Sequence, residues 1–293
     1  MEMCTLKGDE EPCTLMVGRS GKRYVMGIDP NMSDSPTADY FAMSVMEIDD
    51  DTGQGTLVHT YAGLGSLNKH VKYLAYILQA FNIVFICVDN AGSDTYLDSC
   101  NESQFFKDAG INLKTIPLNS DAEGVEYQRS IKQAKQKYNQ ENYQICFNQV
   151  FTSNFIRRAN EHLQACIDYK KIWFASRTAS NESFFNRTSS IRLPYPKKLV
   201  FIDDRKDWSM LDFIEHQDDM IYQTKKQCSL VEHKSTARGS QNFDLPQHLK
   251  RSTSANKARK DNYSSLMLAN WGLKLYNDIT KAEINTNKET FEP

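Results

Sequence analysis

The chain has 293 residues, 40% of them apolar and 25% charged, enough to bury one large core. Its 35 basic and 37 acidic residues leave a net charge of −2, which excludes a global attraction to polyanions and makes any nucleic-acid surface a local patch. No apolar run reaches the roughly 20 residues that span a bilayer, and the acidic start MEMCTLKGDEEPC lacks the charged end and apolar core of a signal peptide, so neither a membrane partner nor export is expected.

In chain order, residues 1–21 are polar and read as a linker or tail. They end in GRSGKR, which resembles a phosphate loop but has too short a spacing, follows its lysine with Arg23 and leads into a strand. No ATP site is expected there. RYVMGID, DYFAMSVMEID and GTLVHTYAGL are apolar or alternating runs parted by Asp, Asn, Pro and Gly turns, the pattern of an antiparallel meander. Asp49 to Asp51, beside Gly53, form one of those hairpin turns. SLNKHVKYLAYILQAF places Leu67, Val71, Leu74, Ala75 and Leu78 at helical spacing behind a Ser66 cap. NIVFICVD is then a short continuous apolar run, as in a strand covered on both faces. ESQFFKDAG reads as a short helix closed by Gly110, INLKTIPL as a strand, SNFIRRANEHLQACIDY as a helix and KIWFAS as a short strand.

Residues 177–198 are rich in Ser, Asn and Arg and read as a mobile excursion. A long helix follows in DWSMLDFIEHQDDMIYQTKKQC, then a strand in SLVEHKST, a polar basic segment, and a final helix in DNYSSLMLANWGLKLYNDIT. The order predicts an α/β layer built on a mixed sheet, with no internal repeat. Seven scattered cysteines without a CxxC pair read as reduced thiols and provide no zinc site.

Acids stand at informative places. Asp29 ends the first strand, Asp89 ends the central VFICVD strand, and Asp261 opens the last helix. Each alone is explained as a turn residue or helix cap. Carboxylates converging on one point repel each other unless divalent cations lie between them, and an all-oxygen site favours Mg2+ or Mn2+. Two such ions can activate a water and stabilise a leaving oxygen in phosphodiester hydrolysis. Asp34, Asp39, Asp94 and Asp98 compete for the same neighbourhood; Asp39 reads first as a strand-start residue, with a supporting or third-ligand role as its alternative, and Asp94 similarly. His216 and His233 are the best-placed histidines for a general base, and neither is assigned a role.

The segments YVMGIDP…ADYFAMSVMEID, VFICVDNAGSDTYLD, CSLVEHKST…GSQNFDLPQHL and ARKDNYSSLMLANWG resemble, in this order, the C-terminal nuclease domain of the large terminase subunit of tailed bacteriophages, a plan shared by herpesvirus terminases. The resemblance spans about Arg23 to Ile279. It implies a ribonuclease-H-like mixed β-sheet flanked by helices on both faces, a nuclease domain over 22–281 and a C-terminal tail over 282–293. It further implies that Asp29, Asp89 and Asp261 are the catalytic, metal-binding acids, holding two Mg2+ or Mn2+ ions. The implied activity is an endonuclease cutting double-stranded concatemeric DNA during genome packaging. Implied partners are double-stranded DNA, a terminase ATPase domain, the small terminase subunit and the portal. The implied location is the host cytoplasm at the procapsid, or the nucleus for a herpes-like virus. The family joins this domain to an ATPase motor and no phosphate loop is found here, so an isolated nuclease domain or a split gene product is expected.

Lys250, Arg251, Lys257, Arg259 and Lys260 precede Asp261 without an intervening acid and form the candidate DNA contact, with a solvated charged face as the alternative reading; Arg177, Arg187, Arg192, Lys197 and Lys198 form a second candidate. Such cations position a duplex through its phosphates without reading sequence. The competing readings are a resolvase or transposase-like nuclease on the same fold, and a non-catalytic docking module whose acids are caps and turns.

Overall fold

The computed structural model describes residues 14–31, 35, 38–91, 93–118, 131–133, 136, 143–175, 210–235, 241–250 and 259–289. Strands β1 (Tyr24–Asp29), β2 (Phe41–Ile48) and β3 (Gly55–Gly63) form the expected antiparallel meander. The β2–β3 turn is tightened by Asp49, whose Oδ1 accepts the N–H groups of Asp51 and Thr52, and by Gly53 at φ 71°. Helix α1 (Leu67–Ala80) leads to β4 (Ile83–Asp89), which pairs parallel with β1. Helices α2 (Ser93–Glu102) and α3 (Gln104–Ala109) follow, and Gly110 closes α3 in the left-handed conformation. Then come β5 (Leu113–Leu118), β6 (Gln144–Gln149), helix α4 (Ser153–Asp168) and β7 (Ile172–Phe174).

The resulting seven-stranded sheet has the order β5-β6-β4-β1-β2-β3-β7, with β6 parallel to both β4 and β5, and β7 parallel to β3. It is mixed and covered on both faces, and the order and directions around β1 are those of the expected ribonuclease-H-like plan. After it come helix α5 (Met210–Leu230), a separate hairpin of β8 (Glu232–Ser235) and β9 (Gln241–Asp244), the short α6 (Gln247–Lys250) and the long α7 (Asp261–Glu289).

Alternation along the strands divides the core in two. Val25, Phe85, Cys87 and Phe147 face α4 and α7, whereas Met26, Ile28, Ile86 and Val88 face α1, α2 and α3. Helix α7 covers the centre of the first face, burying Leu266, Leu268, Trp271 and Leu273. At about 1.5–3 kcal/mol for each large apolar side chain removed from water, this seating holds the helix more firmly than any cap.

The structure departs from sequence expectation in several places. Residues 14–18, read as linker, are part of the fold: Leu15 is fully buried, its N–H bonds the Val58 carbonyl at 2.8 Å, and Gly18 N–H bonds Ala80. This segment covers the part of β3 that β7 leaves unpaired, so its apolar residues have a sheet edge to bury against. The C-terminal tail expected from 282 is helical through Glu289, because AEINTNKE contains neither Gly nor Pro to stop α7. Ser66 occupies the N-cap position of α1 but makes no side-chain cap bond. Helix α2 and strands β6 and β9 were not expected. SDTYLDSCNE hides three buried residues, Tyr96, Leu97 and Cys100, among poor helix formers, and QICFNQ is a short apolar run in Asn- and Gln-rich surroundings. The excursion at 177–198 lies outside the described residues. Among those described, no helix is long and apolar enough to cross a membrane, and Cys87, Cys100, Cys146, Cys166 and Cys228 are free thiols.

Candidate metal centre

One register and one glycine bring the acids together. In the parallel pairing of β1 with β4, Ile28 lies beside Val88, so the next residues, Asp29 and Asp89, leave the same sheet edge side by side. Gly27 precedes Asp29 by two residues and therefore shares its face. A Cβ on Gly27 would stand 2.1 Å from the Ser265 carbonyl oxygen and 2.3 Å from the Ala269 nitrogen, so the backbone of α7 rests directly on β1. Asp261 is four residues before Ser265, about 6 Å along the helix axis, and this carries it to the end of β1 where Asp29 emerges.

Asp29, Asp89 and Asp261 line one open cleft of about 470 Å³, with Asp39, Asp244, Arg259, Lys260 and Ser264 also on its walls. Asp261 is 5% exposed, and its Oδ2 accepts the Tyr40 N–H at 2.8 Å. Asp89 Oδ1 accepts the Ala91 N–H at 3.1 Å. Burial, followed by repulsion from Asp261 and Asp89, pushes the Asp29 carboxyl up to about 8, against a hydrogen bond from Ser264 and the charge of Lys260. Burial also raises Asp89, opposed by the backbone N–H groups of Ala91 and Asn90.

The acidic groups on this cleft offer carboxylate oxygens, the ligand type that suits hard divalent cations. Among the described residues no three acidic, histidine or cysteine side chains stand in a single coordination sphere. The acids thus share a cleft and do not form a preformed cage.

The cations differ in their surroundings. Lys260 Nζ donates to the Phe243 carbonyl at 3.1 Å and lies 3.5 Å from Asp244 Oδ1, tying the β8–β9 hairpin to the cleft. Arg259 Nε donates to the Ala38 carbonyl at 3.2 Å. Lys250 ends α6, and Arg251, Lys257 and the five basic residues of 177–198 lie outside the described residues.

No known protein family and no curated protein matches the chain. Among solved structures, the chain is similar to large terminase nucleases. It is 14% identical to the large terminase nuclease from thermophilic phage G20c, covering 92% of this chain and 93% of that one at a TM-score of 0.45. The structure of that nuclease with bound magnesium gives the same identity and coverage at a TM-score of 0.43. The HK97 bacteriophage large terminase is 10% identical, with 88% of this chain covered, 41% of that chain and a TM-score of 0.44. These likenesses assign no role to any residue of the cleft.

Of the competing acids, Asp39 lines the cleft, whereas Asp94 accepts a hydrogen bond from Asn148 at 3.3 Å and is not part of the lining. Asp34 lies outside the described residues, and Asp98 is exposed on α2. His216 is half-buried on α5 and His233 stacks on Phe243 at 4.6 Å; neither lines the cleft. Asp244 was missed. Its signal was the NFDLP segment, where an acid precedes a proline shortly before the last helix.

Proposed function

We propose that this protein is a divalent-metal-dependent endonuclease that cuts double-stranded DNA, with Asp29, Asp89 and Asp261 as its metal-binding and catalytic residues. The observation carrying this reading is the convergence of those three carboxylates, from two strands and a helix distant in sequence, on one cleft where burial, and after it repulsion from Asp261 and Asp89, disfavours the ionised form of Asp29. Protonation or a bound cation relieves such crowding, and an acid cluster open to a cleft gives a cation access.

Two Mg2+ or Mn2+ ions, when bound, would supply an activated water and charge stabilisation at the leaving oxygen. The chain's own residues do the rest. Asp29 and Asp89 present oxygens from a rigid sheet edge, Asp261 presents one from the helix seated on that edge, and the Tyr40 N–H fixes its orientation. Lys260, on the rim, offsets repulsion between the acids and the DNA phosphates. Contacts of this type select for backbone rather than base sequence. The sequence resemblance extends the proposal to cutting of concatemers during phage genome packaging in the host cytoplasm, with a terminase ATPase domain, small subunit and portal as partners.

The test is cleavage of supercoiled plasmid with Mn2+. Wild type should nick and linearise it, EDTA should abolish the activity, and Asp89→Asn should lower it by at least about a hundredfold with an unchanged melting temperature. Cleavage by Asp89→Asn at the wild-type rate would remove the assignment.

A further inference from the structure

Asp261 depends for its orientation on a short stretch that is not part of its own helix. Its Oδ2 accepts the backbone N–H of Tyr40, the residue before β2. The same stretch is gripped twice more by one side chain from the approach to α7. Arg259 Nε donates to the Ala38 carbonyl at 3.2 Å, and the Arg259 guanidinium carbon lies 4.1 Å from the centre of the Tyr40 ring. Arg259 is two residues before Asp261, so three links join residues 38–40 to the start of α7, and two of them use the guanidinium.

We propose that Arg259 is a positioning residue for Asp261, holding residues 38–40 against the helix start so that the Tyr40 N–H keeps the Asp261 carboxylate oriented for a divalent cation. The inference rests on the metal-dependent reading above and gives Arg259 a role different from the phosphate contact expected from its charge run. A phosphate contact needs positive charge near the duplex. The clamp needs a flat group that covers an aromatic face while its Nε–H points at a carbonyl, and lysine provides neither. Partners that orient a ligating carboxylate typically change metal affinity by 10–100-fold when removed.

The experiment is calorimetric titration of the whole chain with Mn2+ in the absence of DNA, so that binding is read apart from cleavage. Wild type, Asp261→Asn, Arg259→Lys, Tyr40→Ala and Tyr40→Phe are compared, each first shown to have the circular dichroism and melting cooperativity of wild type. Asp261→Asn should lose binding. Arg259→Lys and Tyr40→Ala should each weaken it about tenfold or more, although the first keeps the charge and the second never had one. Tyr40→Phe, which keeps the stacked ring, should stay within about twofold. Wild-type affinity in Arg259→Lys beside a loss in Asp261→Asn would overturn the clamp and leave the metal centre standing. Absence of Mn2+ binding by wild type, or unchanged binding by Asp261→Asn, would instead remove the metal reading of this site, and the clamp with it.

Discussion

Asp29 and Gly27 share one face of β1 and make opposite demands on it. Asp29 is strained by charge: burial and two neighbouring acids penalise its ionised form. Asp29→Asn should therefore abolish cleavage and yet raise the melting temperature at pH 7 in EDTA by roughly 2–4 °C, the trade expected of a site built for activity. Differential scanning fluorimetry measures this, and Mn2+ should stabilise wild type but not the variant. A lower melting temperature in the variant would mean that the carboxylate supports the fold. Gly27 is strained by space, since any side chain there meets the backbone of α7, which cannot swing aside as a flexible side chain can. Gly27→Ala should cost about 3 kcal/mol or more in urea unfolding and reduce activity as well, because lifting α7 separates Asp261 from Asp29. A change below about 0.5 kcal/mol would show that the helix does not sit as described. Asp29 was readable as a strand ending on an acid; the reason for Gly27 was not, because nothing near it in sequence says which helix lies on top.

Between elements, a buried polar chain fastens the edge of the sheet to the segments around it. His59 on β3 donates through Nδ1 to the Leu15 carbonyl, and its Nε2 accepts the Tyr73 hydroxyl, each at 2.7 Å. Gln217 on α5 donates to the same hydroxyl at 3.3 Å and accepts the Thr60 N–H at 3.1 Å. Both nitrogens of the ring are thus used in its neutral form, and burial lowers His59 to about 4. Burial does the same to His70, which bonds the Tyr61 hydroxyl at 2.9 Å and stacks on Phe41 at 4.4 Å. The unfolded chain takes up these protons near the ordinary histidine value of about 6.5, whereas the native state resists them until about 4. Their contribution to stability is complete above pH 6.5 and is lost as pH falls toward 4. In urea titrations near pH 5, His59→Asn should have a pH dependence of stability shallower by about 1.4 kcal/mol per pH unit, the equivalent of one proton. An unchanged slope would mean that His59 is protonated in the fold. The two histidines lay in predicted elements, but His59 is closed over by residues 14–18 and α5, and GRSGKR had marked that entry as linker, while His70 is closed over by Phe41, Tyr61 and Tyr96.

For the molecule as a whole, the same N-terminal string bears on regulation. Residues 19–22 form a turn, with Lys22 N–H bonding the Arg19 carbonyl at 3.2 Å, and the chain then enters β1. The Arg19 N–H is taken by the Tyr24 hydroxyl at 2.8 Å, so this backbone does not form a phosphate cradle. Phosphodiester hydrolysis is downhill and needs no nucleotide. The chain alone should therefore nick plasmid with Mn2+ at the same rate with and without ATP, as read by gel electrophoresis. Strict ATP dependence, or intrinsic ATP hydrolysis, would contradict both the turn and the proposed chemistry.

The sequence by itself determined the elements whose signal is local: the meander from its alternation and turns, β4 from a continuous apolar run, α1 and α4 from helical spacing, and the positions of Asp29, Asp89 and Asp261 at their ends. Burial of an alternating or periodic face is recorded in neighbouring residues, so it can be read without knowing what covers it. Tertiary structure alone decided which ends meet. That β1 lies beside β4, that α7 crosses Gly27, that Asp39 and Asp244 join the cleft, and that Arg259 stacks on Tyr40 are contacts between residues up to about 240 apart in sequence, the farthest being Gly27 with Ala269. They arise from shape and charge fitting across the core, and no single segment carries that information.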